Sequence, residues 1–422
     1  MGKKWFSKIL LCLMASVLVV GMTACSSGGQ SSVNSGGKAN LKIATWAGAT
    51  ELKEFQGIVN KLNKKSDEYH LTVQSIPADY YKKIQTMASA KQAPDLFLLS
   101  QEYIPMYADL GVISPIDNYV KNSSKVDLKD YYKGPLDASK YKNKLYGLPW
   151  ISQPVMLYYN KTMFEKAGVS EPAPNWSWED FETAAKALTK DNNKDGKTDQ
   201  FGTNIDGWPP LSTWIWTYGG DTITKNGKVV INSPESIDGL KMMNKLINVD
   251  KVVPNKTQSQ NAGGPQMFSQ GKIAMIFGGA GDDFEKQVGN KFELGMTEIP
   301  HNTQKATFSW IASTVMANTT KNKDTAADAL IDLTNAMHDW KVLPPTKSDM
   351  AKMESLHPEK KYAIPALNAS SQYSHGYNNQ VKQIELDTAM YQYLYEPIML
   401  GKKSPEKAAK ETADHLKQIQ NQ

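Results

Sequence analysis

Arginine is missing from this chain, and all 48 of its basic side chains are lysine. The planar guanidinium fork holds carboxylate and phosphate bidentately and stacks on bases, so its absence argues against an anion-selective site and against nucleic acid as a partner. Cysteine is almost absent too. Cys12 and Cys25 are the only two, both near the start, which leaves the remainder without a disulfide, a thiolate metal site or a cysteine nucleophile. The six histidines (His70, His301, His338, His357, His375, His415) are scattered, with no pair at i and i+4 to hold zinc from one helix face. No Gly-x-Ser-x-Gly elbow occurs. The apolar run Ile9 to Val20 is too short to cross ~30 Å of hydrocarbon as a helix, which takes about 20 residues. The formal charge of +5 is mild, and runs such as Lys64-Lys65 read as solvated surface.

What stands at the start is an export signal: Lys3, Lys4 and Lys8, then the apolar run, then Met22-Thr23-Ala24-Cys25. Thr23-Ala24-Cys25 resembles the cleavage box of bacterial lipoproteins, in which the Cys is acylated and becomes the first residue of the mature protein. Met22 departs from the Leu more usual at that place. Residues 1–24 are therefore expected to be a lipoprotein signal peptide and residues 25–39 a flexible tether, because Ser, Gly, Gln and Asn from Ser26 to Gly37 cannot bury a core. The expected location is the extracellular face of the cell membrane of a Gram-positive bacterium, with Cys25 as lipid anchor.

After the tether, strand and helix signals alternate. Leu41 to Thr45, Leu71 to Ile76 and Leu96 to Leu99 read as strands; Phe55, Ile58, Val59 and Leu62, then Ile84, Met87 and Ala88, repeat at helical spacing. This predicts an α/β lobe with a largely parallel sheet, whose ligands would bind beyond the carboxyl ends of the strands, where Trp46 and Ser100-Gln101-Glu102 fall. A second set follows Pro149. Ser177 with Asp180 makes a capping box, Ser233-Pro234-Glu235 and Ser404-Pro405-Glu406 open helices, and Ile273 to Phe277 is a buried strand; Ala326, Leu330, Leu333, Met337 and Trp340 mark one helix face.

An ordered set of motifs then carries a family resemblance over essentially the whole mature chain. Ala93-Pro94-Asp95-Leu96-Phe97, Tyr107-Ala108-Asp109-Leu110-Gly111, Tyr146-Gly147-Leu148-Pro149, Leu157-Tyr158-Tyr159-Asn160-Lys161, Phe164-Glu165-Lys166-Ala167-Gly168, Trp178-Glu179-Asp180-Phe181 and Gly271-Lys272-Ile273-Ala274-Met275 resemble extracellular solute-binding proteins of family 1, the group of ABC importer lipoproteins that includes maltose-binding protein. The resemblance implies a periplasmic-binding-protein type II-like fold, two α/β lobes joined by a hinge with the ligand cleft between them. It places lobe 1 at 40–150 and 301–339 and lobe 2 at 151–300 and 340–422. It also implies a carbohydrate ligand, mono- or oligosaccharide, ABC permease subunits as partners, a monomeric chain, no catalytic residue and no required cofactor. After Gly278-Gly279, where many relatives carry a sugar-stacking Trp, this chain has Ala280-Gly281, so the floor of the site is expected to be rebuilt.

A pyranose offers C–H patches on its faces and hydroxyls at its rim, and is held by flat aromatic platforms with polar groups at the edges. Of ten Trp only Trp5 falls in the signal. The expected substrate-binding residues are Trp46, Glu102, Trp310, Trp208, Tyr377, Trp150, Gln101 and Trp214. Asp191, Asn193, Asp195 and Asp199, with Gly196 between them, match the first part of a calcium loop, but the twelfth position is Gly202 where a bidentate Glu would stand. The stretch reads either as a structural calcium site or as a polar surface turn. Two other functions stay open: a cell-surface glycosidase, needing two carboxylates ~5 to 9.5 Å apart, and a receptor for a non-sugar solute.

Overall fold

The computed structural model describes residues 37–205, 209–259, 262–378 and 380–422. Cys25, most of the tether and Trp208 lie outside the described residues. Strand β1 (Ala39–Thr45) pairs in parallel with β2 (Tyr69–Ser75) on one side and β3 (Leu96–Ser100) on the other. The helices between them, Ala49–Lys65 and Tyr80–Ser89, turn Phe55, Val59, Tyr80 and Ile84 inward, so the helical spacing does bury one face. All five residues of β3 are buried, as a strand covered on both faces requires.

A short hairpin, β4 (Lys140–Tyr141) and β5 (Lys144–Leu145), precedes the long strand β6 (Gly147–Asn160). Then come β7 (Phe201–Thr203), β8 (Ile273–Gly279), β9 (Leu294–Thr297), β10 (Thr307–Met316) and β11 (Ser374–His375). The strands run in the order β2-β1-β3-β10-β6-β8-β7. In lobe 1 only the β2-β1-β3 part is parallel. β10 lies antiparallel to both β3 and β6 because it returns to the first three strands from the far end of the molecule. β6 uses Gly147 to Pro154 against β10 and Val155 to Asn160 against β8 and β9, so one strand belongs to two halves of the sheet.

The hydrophobic cores change side along these long strands. Ile151 packs with Leu41, Leu98 and Leu330, whereas Val155 packs with Phe181, Trp214 and Phe277. On β10 the change falls between Phe308 and Ala312. A third change falls between Met337 and Leu343. His338 ties the third crossing to the first: Nδ1 lies 2.7 Å from Asp349 Oδ2 and Nε2 lies 3.3 Å from the Pro149 carbonyl. The hydrogen bond from His338, reinforced by Lys352 and Thr346, holds the Asp349 carboxyl well below the usual carboxylate range.

The caps formed as their sequences require. Ser177 and Asp180 make the reciprocal capping box at the start of Trp178–Leu188, and Ser233 and Ser404 cap helices that carry Pro in the first turn. Trp340 lies beyond the helix Lys323–Met337, and its ring stacks on Trp150 at 5.5 Å.

Candidate ligand cleft

The candidate residues sit where chain ends of lobe 1 strands meet the C-terminal segments of the other half. Trp46 follows β1, and Gln101, Glu102 and Tyr103 form one turn of 3-10 helix directly after β3. Trp310 lies on β10 near the crossing, Tyr377 follows β11, and the helix Gln383–Met390 packs against the Gln101–Tyr103 turn.

Trp46 is half-buried in an aromatic wall. Its ring centroid lies 5.4 Å from Tyr80, 6.3 Å from Tyr81, 6.1 Å from Trp310 and 6.4 Å from Trp150. Tyr81 in turn stacks on Tyr103 at 3.7 Å. Trp310 is also half-buried and touches both cores. Tyr377 packs its ring on Phe308 at 4.9 Å, from the opposite side. Trp46, Trp310, Glu102, Gln101 and Tyr377 are thus brought to one seam between the two halves.

Two of the expected platforms are core residues instead. Trp214 is 0 % exposed and stacks on Trp178 with centroids 4.3 Å apart; its apolar face fills the second core. Trp150 is 3 % exposed and stands between Trp46 and Trp340, so it braces the aromatic wall from behind. Gln101 is only 2 % exposed. Its Nε2 donates to the Ser309 carbonyl at 2.9 Å, which fixes the amide orientation, and its Oε1 has no hydrogen-bond partner among the described residues. That oxygen faces Gly376 of the opposite wall so closely that a Cβ there would lie 1.6 Å from it. Glycine at 376 is therefore a requirement of the close approach.

The electrostatics of the seam are acidic. Burial pushes the Glu102 carboxyl up to about 7, with Asp387 adding to the rise. Burial likewise pushes Asp387 up to about 7, against a hydrogen bond from Gln383 Nε2 at 2.9 Å. Tyr377 is raised well above the usual phenol range by burial, then by Asp387 and Glu102. Tyr81 and Tyr103 are raised first by burial and then by Glu102. The packing of the Gln383–Met390 helix on the Gln101–Tyr103 turn and the stacking of Tyr81 on Tyr103 gather these groups on one side of the seam.

Sequence reasoning missed Asp387, Tyr81 and Tyr103. The Tyr80-Tyr81 doublet was a visible aromatic signal, but Asp387 on a helix has none, since only tertiary packing brings it to Glu102. A groove of ≈ 690 Å³ lies beside the Gly376–Tyr377 edge of this seam, lined by Lys133, Asp137, Asp221, Lys225, His375 and Tyr377, and none of Trp46, Gln101, Glu102 and Trp310 lines it. Burial lowers His375, whose ring lies 4.0 Å from Trp216.

In the 191–199 loop the oxygens are engaged by the loop itself. Asp191 accepts from the backbone N–H of Asp195 and Gly196, Asp195 from Lys197, Asn193 from Asp195, and Asp199 from Asn192. Among the described residues no group of three His, Cys, Asp or Glu side chains could hold a metal ion.

Two α/β halves with a polar, aromatic-lined seam between them and strands running through both define a two-lobe binding protein of the periplasmic type II fold. The profile of bacterial extracellular solute-binding proteins matches residues 46–334, and the chain belongs to that family, whose members are binding components of ABC importers and not enzymes. The glycosidase alternative falls with that membership. A putative binding protein of Brucella abortus is 24 % identical over 331 residues, covering 75 % of this chain and 78 % of its own. The maltodextrin-binding protein MdxE of Bacillus subtilis is 24 % identical over 323 residues, 71 % of each chain. Among solved structures, an ABC substrate-binding protein of Listeria monocytogenes in complex with cycloalternan superposes with a TM-score of 0.77 at 24 % identity, covering 91 % of this chain and 99 % of that one.

Proposed function

We propose that this chain captures a carbohydrate outside the cell by closing its two lobes on it, and hands it to the permease of an ABC importer. The observation that carries this reading is the placement of half-buried aromatic faces, Trp46 and Trp310 on one wall and Tyr377 on the other, with Glu102 beside them. Flat apolar faces rimmed by hydrogen-bonding groups match the two kinds of surface on a sugar ring. The maltodextrin and cycloalternan named for the two relatives support an oligosaccharide.

In this reading lobe 1 comprises 40–150 and 301–339, and lobe 2 comprises 151–300 and 340–422, except that Ile151 packs with the first core and Ala306 and Phe308 with the second. The contact set supports Trp46, Glu102, Gln101, Trp310 and Tyr377 as the binding residues, with Trp208 retained from the sequence. Replacing Trp46 or Trp310 by Ala is expected to weaken sugar binding by roughly 1 to 3 kcal/mol, the scale of aromatic anchors at other interfaces. Calorimetry with the sugar that most raises the melting temperature in a panel measures this; undiminished affinity in both variants would remove the platforms from the site.

Acylation of Cys25 would hold the protein at the outer membrane face as a monomer beside its permease. Each buried CH₂ of an acyl chain contributes ~0.8 kcal/mol, and firm anchoring takes two signals. Cys25→Ser is therefore expected to release the protein into the medium or leave it unprocessed, with sugar affinity unchanged; wild-type protein free of lipid in the medium would contradict the anchor. No helix among the described residues is long and apolar enough to cross a membrane. A sugar-binding protein of this family needs no cofactor, and the calcium reading of Asp191, Asn193, Asp195 and Asp199 rests on their spacing alone.

A further inference from the structure

Glu102 and Asp387 approach from opposite sides of the seam, one from the turn after β3 and the other from the helix Gln383–Met390. Both side chains are half-buried, the helix packs against that turn, and neither is opposed by a cation among the described residues. The charged group that acts on Glu102 is Asp387, and the hydrogen-bond partner of Asp387 is the neutral amide of Gln383. None of the ion pairs among the described residues involves either carboxylate, although the chain carries 48 lysines. A desolvated charge without a partner is costly, and two of like sign are more so.

A second observation points the same way. The Gln101 side chain is 2 % exposed, and its Oε1 crosses the seam toward Gly376 without a hydrogen-bond partner among the described residues. The seam thus presents two carboxylates and an orphaned carbonyl oxygen, all acceptors. Around them stand the rings of Tyr81, Tyr103, Tyr377 and Trp46, and aromatic faces attract a cation. A neutral hydroxyl would satisfy the acceptors but leave the charge uncompensated.

We propose that the solute of this cleft carries a protonated amine, held between Glu102 and Asp387 with Gln101 Oε1 as a further acceptor, so that the saccharide is an amino sugar. The proposal rests on the carbohydrate reading for the body of the ligand, and on the carboxylate pair for its charge.

Calorimetric titration of the wild-type chain from Lys38 onward with glucosamine, galactosamine and chitobiose-type glucosamine dimers, against glucose, galactose and cellobiose as neutral counterparts and spermidine as an amine without a sugar, tests both parts. An amino sugar is expected to bind about 10-fold or more tightly than its neutral counterpart, the scale of hydrogen bonds to charged groups. That preference should vanish in Glu102→Gln combined with Asp387→Asn. The wild-type ratio alone is decisive if the double variant does not fold. Neutral sugars binding as well as their amino counterparts, or a preference that survives the double substitution, would overturn the ammonium site and leave the carbohydrate reading standing. Binding of spermidine with no response to any sugar would overturn the carbohydrate reading and retain the ammonium site. Silence toward every probe counts against both.

Discussion

Replacing Trp214 by Ala is expected to lower folding stability by about 3 to 5 kcal/mol, the range for a buried Trp reduced to Ala, while ligand affinity of the folded fraction stays near that of the wild type. Trp214 is fully buried, stacks on Trp178 and meets Phe277 edge-on with centroids 5.5 Å apart. Its backbone carbonyl accepts from Thr217 Oγ1, which in turn accepts from Trp178 Nε1 at 2.9 Å. Removing the indole opens a void that this network is too tied to fill. The indole N–H of Trp214 has no partner among the described residues, so Trp214→Phe, which removes that buried donor while keeping a ring, should cost much less. Urea unfolding and calorimetric binding on both variants decide the matter; an unchanged unfolding midpoint with lost binding would return Trp214 to the ligand site.

The second large effect is on closure in the absence of ligand. In this conformation Glu102 and Asp387 stand at about 7, against ordinary values of 4.5 and 3.8. A carboxyl raised in one state favours that state when protonated. The conformation that brings the pair together is therefore favoured most at acid pH, below the ordinary values. It is penalised progressively as pH rises toward 7, and the penalty levels off above that. A tenfold change in proton affinity is worth about 1.4 kcal/mol, and solvent screening at the seam reduces the sum to the order of a few kcal/mol. The groups facing the pair are Tyr81 and Tyr103 from lobe 1, with Tyr377, Gln383 and Glu385 opposite, and none supplies a positive charge. Small-angle scattering of the free protein should show a radius that grows between about pH 5 and pH 8, with the growth abolished in Glu102→Gln combined with Asp387→Asn. A radius insensitive to pH in the wild type would show that the pair does not govern the lobes.

Much of the architecture was legible because it is local. The apolar blocks of β1, β2, β3 and β8, the helical faces and the serine caps each follow from a few neighbouring residues, and each formed within a residue or two of its sequence signal. Trp46 and Glu102 were legible as candidates for a related reason, since the carboxyl end of a strand in an α/β sheet faces the ligand. Trp150 and Trp214 were misread because composition cannot tell an aromatic that faces a cleft from one that fills the core behind it. Asp387 was invisible because it is nearly 300 positions from Glu102 in the chain and meets it only through packing. The antiparallel insertion of β10 was hidden for the same reason.

The crossing on β6 has a mechanical consequence. Its ladder with β10 spans Gly147 to Pro154 and slips register between Ala312 and Ser313. Pro149 and Pro154 are both members of that ladder and neither has an N–H to give it. The ladder therefore lacks two backbone donors around the crossing, and the Ser152 N–H there donates outside it, to the Leu343 carbonyl. Such a strip bends as a flexure does, with strain spread over several peptide units and its stiffness set by omitted bonds. The angle between the lobes can then change without any one residue entering a forbidden backbone region, so that any rotation of the lobes is shared along β6 and not concentrated at one hinge residue.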